Sequence, residues 1–217
     1  MSRRRVGVLV SGRGSNLQAL LDAAAGDYPA EIALVLSNVP DVMALQRAAR
    51  AGVACGVVRH RDFPDRETFE RRLDERLREA GVELVAQAGF MRILTPWFVE
   101  RWRDRLINIH PSLLPAFPGL DTHARALAAG VKLHGCSVHF VRTVVDEGPI
   151  IGQAAVPVLP EDDPDRLAAR VLTAEHRLYP ACLALVASGQ ATVEGDRVRL
   201  TAGASQPIDA MLQNPAA

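Results

Sequence analysis

The 217-residue chain carries 25 basic and 25 acidic residues, giving a formal net charge of zero at pH 7, with 48% hydrophobic and 23% charged residues. This is the composition of a folded globular chain long enough to bury a substantial core, and it excludes the low-hydrophobicity, high-charge class that stays disordered. A neutral balance also excludes a general electrostatic pull toward nucleic acid or an anionic membrane, so an anionic ligand has to be held by local groups.

Residues 5–10 are an apolar, valine-rich run and read as a buried strand. The arginines at 3–5 ahead of it resemble the start of a signal peptide, but the apolar run is too short for a signal core and ends in SGRG. A glycine loop at 12–16 leads into a helix over 17–25 that Gly26 stops. A second strand follows at 31–36, a second helix at 41–51 and a third strand at 53–58. The helix at 65–80 is the clearest, with Phe69, Leu73, Leu77 and Ala80 on one stripe and charged residues almost everywhere else. Strands are predicted at 82–88 and 105–110, with a short helical piece from Pro96 between them. This alternation predicts an α/β fold: a mainly parallel sheet with helices on both faces.

Beyond His110 the rhythm changes. Pro111, Pro115, Pro118 and Gly119 break a loop, and 122–129 can form a short helix. Residues 135–145 and 149–158 read as two strands whose connection is too short for a helical crossover, which predicts a locally antiparallel pair. A long helix over 164–188 is expected to bend or break near Pro180, and 192–200 is expected to form a hairpin. The expectation is one domain over 1–200, divided at about 110, with a frayed tail at 201–217. Three widely spaced cysteines (Cys55, Cys136, Cys182) without a CxxC pair indicate a reduced, cytoplasmic chain, and no stretch approaches the roughly 20 apolar residues of a membrane-spanning helix.

Three unusual segments fall at predicted strand ends, the edge where open α/β sheets bind ligands: 11–16, 89–94 and 108–112. The glycine loop has the strand–loop–helix context in which backbone N–H groups hold a phosphate. Leu17 stands where a dinucleotide fingerprint has its third glycine, and no acid follows the second strand, so a nicotinamide cofactor is disfavoured. A plain turn capped by Ser15 or Asn16 remains the alternative. Asn108 and His110, two apart on a strand, project to one face and pair an oxyanion donor with a group able to move protons near neutral pH, or else cap a loop. Asp146 sits in a tight turn, and beside His110 it would favour the imidazolium. His134, Cys136 and His139 suggest a metal site, but their offsets cannot share one strand face. Ser11 and Ser112 lack the G-x-S-x-G elbow of a nucleophile. Arg71, Arg72, Arg76 and Arg78 interleave with acids as a solvated face.

Taken together, SGRGSNL (11–17), AGFMRIL (88–94), NIHPSLLP (108–115), FPGL (117–120), GCSVH (135–139) and DEGP (146–149) resemble the glycinamide ribonucleotide transformylase (phosphoribosylglycinamide formyltransferase) family of 10-formyltetrahydrofolate-dependent enzymes, over about residues 6–179. The resemblance implies a formyltransferase fold, with a Rossmann-like N-terminal half and a sheet extended by antiparallel strands. It implies formyl transfer from 10-formyltetrahydrofolate to the glycinamide amine of the ribonucleotide in purine synthesis. Asn108, His110 and Asp146 would be catalytic. Gly14, Ser15 and Asn16 would hold the phosphate, with Glu175 near the ribose or glycinamide. Met91, Arg92, Ile93 and Leu94 would line the folate pocket with Asn108 and the backbone of Arg142, Thr143, Val144, Val145 and Asp146, and Arg66 would meet the folate's outer end. Leu114–Pro115 resembles the family's cis-proline position. No metal, nucleic-acid or membrane partner is implied, and the chain would be a monomer or homodimer.

Gln87, where an apolar residue is commoner, and Asp121, where some relatives have His, depart from the pattern. A related tRNA formyltransferase carries a C-terminal domain and a related deformylase an N-terminal one, so the length favours the ribonucleotide enzyme. The alternatives are a deformylase-like hydrolase and a non-catalytic phosphate- or nucleotide-binding module.

Overall fold

A computed structural model of the chain describes residues 3–201, so the expected tail beyond Thr201 lies outside the described residues. In chain order the elements are β1 (Arg4–Val10), α1 (Ser15–Ala24), β2 (Ala30–Ser37), α2 (Met43–Arg50), β3 (Cys55–Val57), α3 (Arg66–Glu79), β4 (Leu84–Gln87), α4 (Pro96–Arg101), β5 (Leu106–His110), α5 (Thr122–Ala128), β6 (Leu133–Phe140), β7 (Ile150–Pro157), α6 (Pro164–Ala187), β8 (Ala191–Glu194) and β9 (Arg197–Leu200). Seven strands form one sheet in the order β3-β2-β1-β4-β5-β6-β7. The β3, β2, β1, β4 and β5 neighbours are parallel, whereas β6 and β7 join antiparallel, as the short 146–148 connection predicts.

Side-chain alternation sorts the core onto two faces. Val6, Val8 and Val10 of β1 pack with Leu17, Leu20 and Leu21 of α1 and Tyr179, Cys182 and Leu183 of α6. Leu9 points the other way, into a cluster with Phe69, Leu73 and Leu77 of α3, Phe98 of α4 and Trp102 just after it. Each fully buried Leu or Phe contributes about 1.5–3 kcal/mol of burial, so α3 is held by its apolar stripe despite its charged composition. Asp65 caps it, its side chain accepting from the Thr68 N–H at 2.7 Å. Arg71, Arg72 and Arg76 of α3 pair with the exposed Glu67, Glu75 and Glu79, the solvated face expected, whereas Arg78 pairs with Asp74, which is buried and also accepts from the Trp102 indole N–H.

Four expectations change. The helix after the glycine loop starts at Ser15, and neither Ser15 nor Asn16 caps it: Gly14, at φ 71°, occupies the cap with no side-chain bond. A Cβ there would lie 2.6 Å from the Ala44 Cβ, so glycine is required on both conformational and steric grounds. The strand expected over 135–145 ends at Phe140: Val141 and Pro149 keep one backbone bond each, to Leu106 and Phe140, and between them the chain turns back as a loop in which Gly148 packs against the Phe140 carbonyl with no room for a Cβ. The long helix α6 runs unbroken through Pro180, whose flanking residues Tyr179, Cys182 and Leu183 are buried and offset the missing backbone bond. The 53–58 strand narrows to the three residues of β3 at the sheet edge.

Candidate active site

Strand β5 brings Asn108 and His110 to the carboxyl edge of the parallel strands, on the face opposite Ile107 and Ile109, which are buried in the α1–α6 core. In the antiparallel register Asn108 lies across from His139 and His110 from Ser137. The loop after β6 then returns Asp146 over them in a left-handed conformation, φ 60°. Its Oδ2 accepts the Gly119 N–H at 2.8 Å and lies 3.4 Å from His110 Nδ1. The other His110 nitrogen, Nε2, is 3.1 Å from the Phe117 carbonyl. Both ring nitrogens thus face acceptors, and a doubly protonated imidazolium satisfies both. The following loop is fixed by Ser137, whose hydroxyl donates to the Ser112 carbonyl at 2.7 Å and accepts the Leu114 N–H at 3.0 Å. The Leu114–Pro115 bond is cis.

The sequence reading missed the part His139 plays here. Its Nδ1 lies 3.1 Å from the Phe140 carbonyl, its Nε2 3.3 Å from Asn108 Nδ2 and 3.7 Å from Asp146 Oδ1. Burial lowers its pKa, so the ring is neutral, donating from Nδ1 and accepting from the Asn108 amide. That bond sets which end of the Asn108 amide is which and leaves a second amide N–H free to donate elsewhere. Only the β5–β6 register places these two residues together, and that register is not readable from one sequence.

At the neighbouring strand end, the Asn16 amide donates to Glu175 Oε2 at 2.7 Å. Glu175 is 6% exposed, and burial raises its carboxyl pKa against the lowering effect of that bond. Gly14 caps α1 and Ser15 and Asn16 open its first turn, where backbone N–H groups lack helical partners and can meet an anion. A hollow of about 350 Å³ lined by Ser15, Gln18, Arg47 and His176 opens beside them. A larger one of about 490 Å³ between α1, β2 and α2 touches none of Asn108, His110 or Asp146.

Residues 88–95 run from β4 to α4 across the same edge. Met91 and Ile93 are exposed, at 71% and 60%, whereas Leu94 is buried in the α3–α4 core. Leu120, Val144 and Val145 are also exposed, so five large apolar side chains face solvent from the three segments flanking Asn108, His110 and Asp146. The Arg142 guanidinium instead pairs with Asp104 at 2.6 Å, which leaves only its backbone toward this rim. Arg66, the first residue of α3, lies next to buried Glu70, whose carboxylate binds both the N–H and the hydroxyl of Thr95. Burial raises the Glu70 pKa, with the Thr95 bonds and Arg66 opposing it.

The remaining candidates disperse. His134 packs edge-on against His123 (ring centroids 5.3 Å) and Phe117 (5.8 Å), and its pKa is lowered to about 4, chiefly by burial. Cys136 is buried and its thiol is pushed up to about 12 by desolvation. The Ser112 hydroxyl donates to the Ala116 carbonyl at 2.6 Å. Gln87 is buried at the end of β4, and its backbone carbonyl accepts the Tyr179 hydroxyl at 2.8 Å.

Comparison with known proteins gives this geometry relatives. A family model described as formyl transferase matches residues 4–183. The chain is 52% identical over 194 residues to a trifunctional purine biosynthetic protein adenosine-3 of Drosophila melanogaster, covering 88% of this chain but only 14% of that protein. It is 46% identical over 184 residues to a phosphoribosylglycinamide formyltransferase of Escherichia coli, covering 84% of this chain and 87% of that one. The crystal structure of glycinamide ribonucleotide transformylase 1 from Symbiobacterium toebii superposes with a TM-score of 0.89 at 49% identity, over 91% of this chain and 94% of that chain. With a family model spanning most of its length, an edge-assembled Asn–His–Asp cluster and the corresponding mixed sheet, the chain belongs to the formyl transferase family.

Proposed function

We propose that this chain transfers the formyl group of 10-formyltetrahydrofolate to the glycinamide amine of N1-(5-phosphoribosyl)glycinamide, a step of purine synthesis. The observation that carries the reading is the juxtaposition of Asn108, His110 and Asp146 beside a rim of exposed apolar side chains. The relatives named for this reaction support it.

Both reactants are small molecules, and the roles proposed for the residues are those the family resemblance implies, with the geometry in support. The α1 N-terminus at Gly14, Ser15 and Asn16 holds the phosphate. Glu175, fixed by Asn16, meets the ribose or glycinamide portion. Met91, Arg92, Ile93 and Leu94, with the backbone of 142–146, line the pteridine pocket, and Arg66 meets the folate's outer end. The glycinamide nitrogen attacks the formyl carbon. The carbonyl oxygen gains negative charge, and the free Asn108 amide N–H and the His110 imidazolium stabilise it. The Asp146 carboxylate lies 3.4 Å from His110 Nδ1, where it offsets the positive charge of an imidazolium, and Gly119 holds that carboxylate in place. As the tetrahedral centre collapses, the carbon–N10 bond breaks and the amine proton passes to N10. No side chain is acylated. We further infer a single cytoplasmic domain, with a phosphate-binding half to about residue 110 and a folate and catalytic half after it.

The test is to supply formyl-labelled folate and the ribonucleotide. Label appearing on the glycinamide nitrogen supports the reading. Label released only as formate contradicts it in favour of a hydrolase.

A further inference from the structure

One side chain joins the two substrate loops. Ser11 follows β1 at the start of the glycine loop, and its backbone N–H donates to the Gly89 carbonyl at 3.1 Å. Its hydroxyl donates to Asn38 Oδ1 at 2.6 Å, which turns an oxygen lone pair toward the Met91 N–H, accepted at 2.8 Å. Asn38 is itself buried at the end of β2, with its Nδ2 3.3 Å from His60 Nδ1. The hydroxyl rotor is therefore fixed from behind, and its acceptor side is committed to the first residue of the 91–94 segment. At the far end of that segment Thr95 is tied to Glu70. Two tethers thus bracket a stretch whose Met91 and Ile93 side chains are left standing in solvent.

Resting on the folate role given above to 91–94, we propose that Ser11 is a positioning residue: its hydroxyl sets the height of the folate segment relative to the phosphate loop, without touching either reacting group. The loop's own hold on Gly89 is through backbone and survives loss of the hydroxyl. The role is therefore specific to the folate side.

The experiment compares wild type, Ser11→Ala and Ser11→Thr in steady-state kinetics with both substrates and in direct binding of tetrahydrofolate. Removing the acceptor of the exposed Met91 N–H unties the segment from the glycine loop and is expected to raise the folate KM and Kd by up to about tenfold in Ser11→Ala. The ribonucleotide KM and kcat should stay within about threefold of wild type. Ser11→Thr, which keeps the hydroxyl, should recover most of the folate affinity. An unchanged folate KM and Kd in Ser11→Ala overturns the proposal. So does a parallel loss in both substrates' KM that Ser11→Thr fails to rescue, the mark of a merely structural residue. Wild type that binds folate without transferring formyl contradicts the functional reading alone, since the Kd comparison still decides the role of Ser11. Wild type that binds no folate contradicts both.

Discussion

His110 has two acceptors and no competing donor, and Asn108 is oriented by a neutral His139, so each has a distinct expected cost. His110→Ala should lower kcat by about 10²–10⁴, the usual size of a positioned proton-carrying group, and Asn108→Ala by about 10²–10³, that of one oxyanion donor. The variants should still fold, with His110→Ala melting somewhat lower because buried Asp146 and the Phe117 carbonyl lose a partner, and kinetics beside a thermal melt will separate that cost from the loss of turnover. His134 serves stability instead. Its folded pKa, about 4, lies below the value of about 6.5 in the unfolded chain. The unfolded state therefore takes up a proton first as pH falls, and the folded state loses relative stability through that window. The full loss is about 3 kcal/mol, complete only as pH reaches the folded value. Buried Glu70 and Glu175, with raised pKa values, act in the opposite sense, losing stability as pH rises past the ordinary carboxylate range. The clean measurement is the difference in denaturant stability between wild type and His134→Phe from pH 7 to pH 4. That difference should move in favour of the variant as the pH falls.

Among the elements, the loops at strand ends carry the function and the glycines define them. Gly14→Ala places a Cβ 2.6 Å from the Ala44 Cβ at a positive φ, so the first turn of α1 must shift. The ribonucleotide KM should rise at least about tenfold while the folate KM changes little, as initial rates over both substrates will show. The sequence made much of this legible. Strand parity alone put Asn108 and His110 on one face, and the strand–glycine–helix order placed the loop between β1 and α1. Long-range register was not legible. His139 faces Asn108 only through the β5–β6 pairing, and Ser11 reaches Met91 only because β1 and β4 are neighbours. Glu70 was hidden for another reason: one buried acid among the many charges of α3 has no compositional signature until Thr95 is folded onto it. The strand expected through 145 also failed for a local reason, since Gly148 closing on Phe140 is a contact that apolar composition does not reveal.

At the scale of the molecule, a parallel sheet places the glycine loop after β1 and the 88–95 segment after β4, while two antiparallel strands wrap Asp146 back over β5. The ends of three parallel strands and one returning loop thus converge on one edge, where a phosphorylated amine and a formyl donor are to be held side by side. The chain spans about 14% of the length of the Drosophila relative and most of the Escherichia coli one, and the described residues contain no helix long and apolar enough to cross a membrane. The account's central claim is that this edge transfers a formyl group between two bound molecules. The most direct measurement is the rate of tetrahydrofolate release from 10-formyltetrahydrofolate with and without the ribonucleotide, with formate assayed in the same reaction. The account predicts release that requires the ribonucleotide and yields one formylated amide per tetrahydrofolate, with formate negligible. Release at the same rate without the ribonucleotide, matched by formate, would contradict it.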